Sequence, residues 1–246
     1  MKLKVGIFDS GIGGFTILNS LLKTRKDVEV FYLADTKRFP YGNKNFNEIR
    51  SIAKEICNWF EDKNLDTLLI ACNTTNACAL DILEKSLKIP CFDLINSVSD
   101  IISKEIIGVL ATPTTVRSSY YKKAINLKKE NFVVFQQECP EFVSEIENNK
   151  LNLKRINFLS DSYLRPLLKK NIQELILGCS HYPLIYDVLR KKVDPNINII
   201  DPSTALIKKF NEFFLIPKNS CYDCISYKNV RFFVTAKNEE FSQKLK

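Results

Sequence analysis

The sequence predicts an α/β protein of two similar halves, each a mainly parallel sheet flanked by helices, with the functional cleft between them. Three observations lead there. Apolar runs of strand length alternate with amphipathic segments of helix length, the pattern of a parallel sheet. The alternation pauses around residues 90–105 and then restarts. LLIACNTTNA (68–77) also lines up with LILGCSHYPL (175–184), each placing a cysteine just past an apolar strand. GIFDSGIGG (6–14) lines up more loosely with GVLATPTTV (108–116), at nearly the same offset as the two cysteines. Open α/β sheets bind ligands at the carboxyl ends of their strands, so two such halves set those ends around one cleft.

The elements follow in order. Lys4–Phe8 reads as a strand, then a glycine-rich turn and a helix over Phe15–Lys23; Val28–Leu33 is the second strand. Asn45–Asn64 is a helix because Ile49, Ile52, Ala53, Ile56, Trp59 and Phe60 recur at helical spacing. Thr67–Ala71 is a strand and Thr75–Leu87 a helix. The second round reads Ile106–Leu110 strand, Ser118–Leu127 helix, Phe132–Phe135 strand, Pro140–Asn148 helix, Asp161–Lys170 helix, Glu174–Leu177 strand and Pro183–Lys192 helix. Asn198–Ile200, a helix over Ser203–Phe214 and a late strand over Val230–Thr235 end the chain.

Composition narrows the function. With 246 residues and ordinary proportions of apolar and charged residues, the chain holds one large or two small globular domains. Apolar stretches such as Leu68–Cys72 fall far short of the roughly 20 residues of a membrane span. Asp9 interrupts any signal-peptide core, so the expected address is cytoplasmic and no membrane partner is expected. The net charge of +8 raises nucleic acid as a partner. The lysines are dispersed over helix faces (Lys122, Lys123, Lys128, Lys129; Lys191, Lys192), which favours a solvated surface and leaves nucleic acid an unfavoured partner. Eight cysteines in apolar segments without an export signal read as reduced thiols. Cys221 and Cys224 form a lone C-x-x-C with no second pair and no nearby histidine, so no metal site is expected.

Two cysteines stand apart from the rest. Cys72 and Cys179 each sit at a strand end, beside small polar residues, where a helix begins; Cys57, Cys78 and Cys91 read as small core residues. A helix N-terminus favours thiolate, and Asn73, Thr74, Ser180 and nearby backbone N–H groups suit a carboxylate. Two thiols across one cleft suit removal of a proton from one face and its return on the other. DSGIGG (9–14) has neither the phosphate-loop spacing nor the dinucleotide one, since Thr16 stands where the last glycine is required. Asp9 and Ser10 are then cleft residues, or Asp9 caps the next helix. His181, the only histidine, lies two residues past Cys179 and can share its proton. A Cys–His hydrolase competes on these residues, although its single nucleophile leaves the paired context unexplained; a non-catalytic binding protein is the third alternative.

The motifs GIFDSGIGG (6–14), YLADTKRFPYG (32–42), ACNT (71–74), G-V-x-x-T-x-x-T-V-x-S (108–118), ECPEFVSEIE (138–147), LGCSHYPL (177–184) and RFFVTAKNEEF (231–241) run through most of the chain. In them the chain resembles the glutamate racemase family of the aspartate/glutamate racemase superfamily. Related aspartate racemases typically carry an acidic residue at the place of His181, so the histidine favours glutamate. The resemblance implies two pseudo-symmetric domains, 1–95 plus about 206–246 and 96–205, the chain's end returning to the first. It implies cofactor-independent two-base racemisation of L- and D-glutamate, supplying D-glutamate to peptidoglycan, in a homodimer. Carried over by motif, Cys72 acts on the D-enantiomer and Cys179 on the L-enantiomer; Asp9 assists near Cys72, His181 near Cys179, and Glu147 is a further assistant. Substrate contacts would come from Ser10, Tyr41, Gly42, Asn73, Thr74, Thr112, Thr115, Ser180 and His181. Thr75 and Ser180 depart from the usual ACNTAS and GCTHYP patterns and bear on affinity rather than on the reaction.

Overall fold

The computed structural model describes residues 2–148, 151–215, 225–236 and 238–244. Its first run of elements is β1 (Leu3–Asp9), α1 (Phe15–Thr24), β2 (Val28–Ala34), α2 (Phe46–Glu61), β3 (Thr67–Ile70), α3 (Asn73–Ser86), β4 (Cys91–Asp93) and α4 (Leu94–Ile101). The second is β5 (Ile106–Ala111), α5 (Pro113–Ser118), α6 (Tyr120–Lys128), β6 (Val133–Glu138), α7 (Phe142–Glu147), α8 (Leu153–Leu168), β7 (Glu174–Gly178), α9 (Tyr186–Arg190), β8 (Asn198–Ile200) and α10 (Pro202–Phe213). β9 (Val230–Val234) and α11 (Asn238–Lys244) follow.

These strands form two parallel sheets flanked by helices, ordered β4-β3-β1-β2-β9 and β6-β5-β7-β8. Leaving out β9, both follow one plan, with the first strand of each run between its second and third and the fourth outside the third. β9 extends the first sheet by pairing with β2, Val30 opposite Val230 through Ala34 opposite Val234. Residues 205 and 206 both lie within α10, which packs against α1 and α4.

Three apolar cores follow from strands buried on both faces. One lies between the first sheet and α1 and α10, through Val5, Ile7, Leu18 and Phe210; another between the second sheet and α7 to α9, through Leu110, Phe142, Leu164 and Leu175. The third is shared, running from Phe8, Ile56 and Ile70 through Ile95 and Val98 to Val109, Ile125 and Ile176. Each fully buried Ile or Phe contributes about 1.5–3 kcal/mol, so a continuous apolar layer holds the halves against each other.

Several local expectations need correction. The segment around residues 90–105 is not a plain connection: it carries β4 and α4, the latter capped by Asp93 accepting the Asn96 N–H at 2.8 Å. The single helix expected over Ser118–Leu127 is two, broken at Ser119, which is left-handed with φ 56°. The earlier of the two starts where Thr112 caps and Pro113 follows, a start signal the apolar spacing hid. α8 begins eight residues ahead of Asp161, where Asn152 accepts the Arg155 N–H at 3.1 Å. The helix expected over Pro183–Lys192 opens as a 3₁₀ turn, Tyr182–Ile185, before α9. Cys221 and Cys224 lie outside the described residues.

Candidate active site

The parallel register delivers both cysteines to one end of the molecule. Phe8 pairs with Ile70, so two residues on Cys72 lies beside Ser10, its Sγ 3.9 Å from Ser10 Oγ. Ala111 pairs with Gly178, so Cys179 emerges beside Thr112 at the equivalent strand end. Cys72 is also the residue on which α3 starts, and no side chain caps that helix. Its first-turn amides lack intrahelical partners, and the Thr75 N–H and hydroxyl face the Cys72 sulfur.

The surroundings of the two sulfurs differ. Burial, reinforced by the Asp9 charge, pushes the Cys72 thiol up to about 12. Asp9 is fully buried at the end of β1, and burial raises its pKa against the opposing His181 charge and its hydrogen bonds. Its Oδ2 accepts the Gly11 N–H at 2.9 Å, and its Oδ1 accepts Ser180 Oγ from the other half at 3.1 Å. Around Cys179 the partner is a cation. Cys179 Sγ lies 3.8 Å from His181 Nδ1, and His181 Nε2 lies 2.8 Å from Glu147 Oε1. Burial alone would lower the His181 pKa; the Cys179 and Glu147 hydrogen bonds and the Asp9 charge outweigh it and bring it to about 10. That value favours the protonated ring at neutral pH, with Nδ1 turned to Cys179 and Nε2 to Glu147. Glu147 Oε1 also accepts the Ile12 N–H at 3.2 Å, tying α7 to the glycine loop of the first half.

Hydroxyls line the remaining wall. Thr74 Oγ1 and Thr112 Oγ1 are 2.9 Å apart, Thr112 Oγ1 and Thr115 Oγ1 are 2.9 Å apart, and Thr115 closes a triangle to Thr74 at 3.4 Å. Asn73 Oδ1 accepts Tyr121 Oη at 2.6 Å, while Nδ2 is buried without a hydrogen-bond partner among the described residues. Close approach explains two glycines. A Cβ at Gly13 would lie 2.3 Å from Ser180 Oγ and 2.5 Å from His181 Nδ1; at Gly42 it would meet Thr112 Cβ at 2.9 Å. Tyr41 is buried against Phe8, with its hydroxyl donated to Asp35. Asp35 also accepts from Arg38 Nε at 2.5 Å and from Thr235 Oγ1, just past β9, at 2.7 Å.

The fold thus gathers Cys72, Cys179, Asp9, Ser10, Glu147, Ser180 and His181 into one linked cluster, with Asn73, Thr74, Thr112 and Thr115 beside it. Gly42 abuts this wall through Thr112, and Tyr41 packs in the same apolar core as Cys72. Tyr121 and Asp35 are not among the residues to which the sequence points. Tyr121 looks like a core position of an amphipathic segment, and only the packing of α6 on α3 brings its hydroxyl to Asn73. Among the described residues, no group of three or more His, Cys, Asp and Glu side chains is spaced to hold a metal ion, and no helix is long and apolar enough to cross a membrane.

This two-sheet fold is matched by known proteins. The Asp/Glu/Hydantoin racemase family matches over residues 16–210. A glutamate racemase of Prochlorococcus marinus (strain NATL1A) is 46% identical over 245 residues, covering 99% of this chain and 92% of that protein. Another, from Synechococcus sp. (strain CC9605), is 36% identical, covering 98% and 91%. Among solved structures, the Francisella tularensis glutamate racemase in complex with D-glutamate superposes with a TM-score of 0.88 at 34% identity, covering 98% of this chain and 91% of that one. A Bacillus anthracis glutamate racemase isoform gives 0.89 at 28% identity, covering 98% and 92%. The chain belongs to the Asp/Glu/hydantoin racemase family. It is an amino-acid racemase, and so an isomerase.

Proposed function

We propose that this chain interconverts L- and D-glutamate by a two-base mechanism that needs no cofactor, with Cys72 and Cys179 acting on opposite faces of Cα. The observation that carries it is the placement of the two cysteines at equivalent strand ends of two like-ordered sheets, within electrostatic reach of each other. The names of the relatives, including a glutamate racemase holding D-glutamate, support glutamate as substrate.

Racemisation breaks a Cα–H bond beside a carboxylate, a weakly acidic position. A thiolate takes that proton and becomes a thiol; the opposite thiol gives its proton to the other face and becomes a thiolate. Each turnover therefore leaves the pair inverted, ready for the other enantiomer. Cys72 takes the proton from D-glutamate and Cys179 from L-glutamate. Asp9 and Ser10 assist at Cys72; His181, held by Glu147, assists at Cys179, where an imidazolium stabilises negative charge on sulfur. The carbanion-like state needs fixed dipoles aimed at the carboxylate, and Asn73, Thr74, Thr112, Thr115, Ser180 and the amides opening α3 supply them. Burial of the cluster excludes water and strengthens these contacts. Ser10, Tyr41, Gly42 and His181 complete the substrate's surroundings.

Sheet membership supports a first domain of residues 1–95 with the chain's end from about 206, and a second of 96–205. The same reading takes the protein as a cytoplasmic homodimer supplying D-glutamate to peptidoglycan synthesis. The test is reduced protein with L-glutamate in D2O, without pyridoxal phosphate or added metal. The expected outcome is loss of optical activity with deuterium entering Cα, unchanged by chelators and carbonyl reagents. No exchange from either enantiomer would overturn the reading.

A further inference from the structure

Asn73 presents an unusual pairing of a satisfied and an unsatisfied atom. Its side chain is 2% exposed and opens α3 directly after Cys72. Oδ1 accepts Tyr121 Oη at 2.6 Å, whereas Nδ2 finds no partner among the described residues. Tyr121 is fully buried on α6, in the other half of the molecule. Burial raises its phenol well above the ordinary value, so the hydroxyl keeps its proton and donates it. An amide whose oxygen receives that proton must turn its NH2 the other way. Buried donors are almost always satisfied, so an orphan Nδ2 beside the cysteine and the threonine triangle marks where an acceptor arrives.

We propose that Tyr121 is a positioning residue that sets the sense of the Asn73 amide, so that Nδ2 stands ready to donate to a carboxylate of the substrate. The role rests on the racemase reading for its substrate class, a dicarboxylic amino acid. It assigns Tyr121 no contact with substrate. The two residues come from different halves, so their hydrogen bond joins the halves beside Cys72.

The test measures glutarate, a dicarboxylate of the same chain length with no amino group and so no stereocentre to invert, by calorimetry, beside racemisation of both glutamate enantiomers. Tyr121→Phe keeps the ring and removes the hydroxyl. It is expected to weaken glutarate by about five- to tenfold, the worth of one hydrogen bond, and to lower kcat/KM for both enantiomers by at least as much. In an Asn73→Ala background the same change is expected to add nothing, the signature of action through Asn73. Asn73→Asp keeps an oxygen for Tyr121 but replaces the NH2 with an anion; at unchanged Tm it is expected to weaken glutarate by at least about 100-fold. Glutarate binding by Asn73→Asp within about threefold of the parent, or full additivity of Tyr121→Phe with Asn73→Ala, would overturn the proposal. If the parent binds glutarate but does not racemise glutamate, the proposed reaction falls while the binding comparison still decides Tyr121. If the parent binds no dicarboxylate, both fall.

Discussion

The two ends of the cleft share a fold and differ in charge. Cys72 and Cys179 leave equivalent strands of sheets with one strand order, yet Cys72 faces the Ser10 hydroxyl and the buried carboxylate of Asp9, and Cys179 faces an imidazolium clamped by Glu147. Near a buried carboxylate a buried sulfur holds its proton, and this is the setting of Cys72. Backbone symmetry thus sets where the sulfurs are, and the side chains around them make the two surroundings unlike. The two-base reaction proposed above asks for acid–base groups on opposite faces of one carbon, and like-ordered sheets with unlike surroundings suit that task.

The comparison breaks most directly at the sulfurs. Cys72→Ala and Cys179→Ala are each expected to lower racemisation by at least about 10³-fold, followed by polarimetry; more than a few per cent of turnover in either would remove the two-base assignment. Next comes the cation. His181→Gln is expected to lower kcat/KM by about 10²-fold, in equal measure for L- and D-glutamate because the two are of equal free energy. Its pH signature is separate. The folded-state pKa is raised from 6.5 to about 10, so the stabilisation is fully present below about 6.5 and lost as pH rises through 10. The Tm advantage of the parent over His181→Gln should therefore shrink across that window in thermal unfolding scans.

Smaller effects sharpen the comparison. Gly13→Ala would place a methyl 2.3 Å from Ser180 Oγ and 2.5 Å from His181 Nδ1, pushing the glycine loop off the Cys179 side. A displacement below 1 Å is expected to cost about tenfold in kcat, and Gly42→Ala less, since its methyl meets Thr112 at 2.9 Å. Asp35→Asn acts only on the Cys72 side. It weakens the hold on Tyr41, Arg38 and Thr235, with an expected stability loss of about 1–2 kcal/mol in urea unfolding and a rise in KM of a few-fold.

How much of this could be read beforehand differs by level. The alternation of apolar runs carries the strands because a strand buried on both faces must be apolar along its length, and β1, β3 and β7 were legible for that reason. The candidate site residues on strand ends, Asp9, Cys72 and Cys179, stand out by their position after those runs, and Glu147 and Tyr41 through motif resemblance alone. Helix α4 and the break at Ser119 were not. Their signals are caps and one left-handed residue, which apolar spacing does not register. Tyr121 was hidden more deeply, because an aromatic at a core-facing helix position looks the same whether its hydroxyl is idle or aimed.

By itself the sequence determined the two-fold α/β plan, the positions of the paired cysteines and the family, because periodicity and short motifs are local properties of the chain. Only the tertiary structure decided that Glu147 joins His181 to the Ile12 amide, that Thr235 past the returning strand braces Asp35 beneath Tyr41, and that Tyr121 turns the Asn73 amide. Each of those contacts joins residues far apart in the chain. Their geometry is set by how strands and helices from distant segments pack, and no local pattern carries that information.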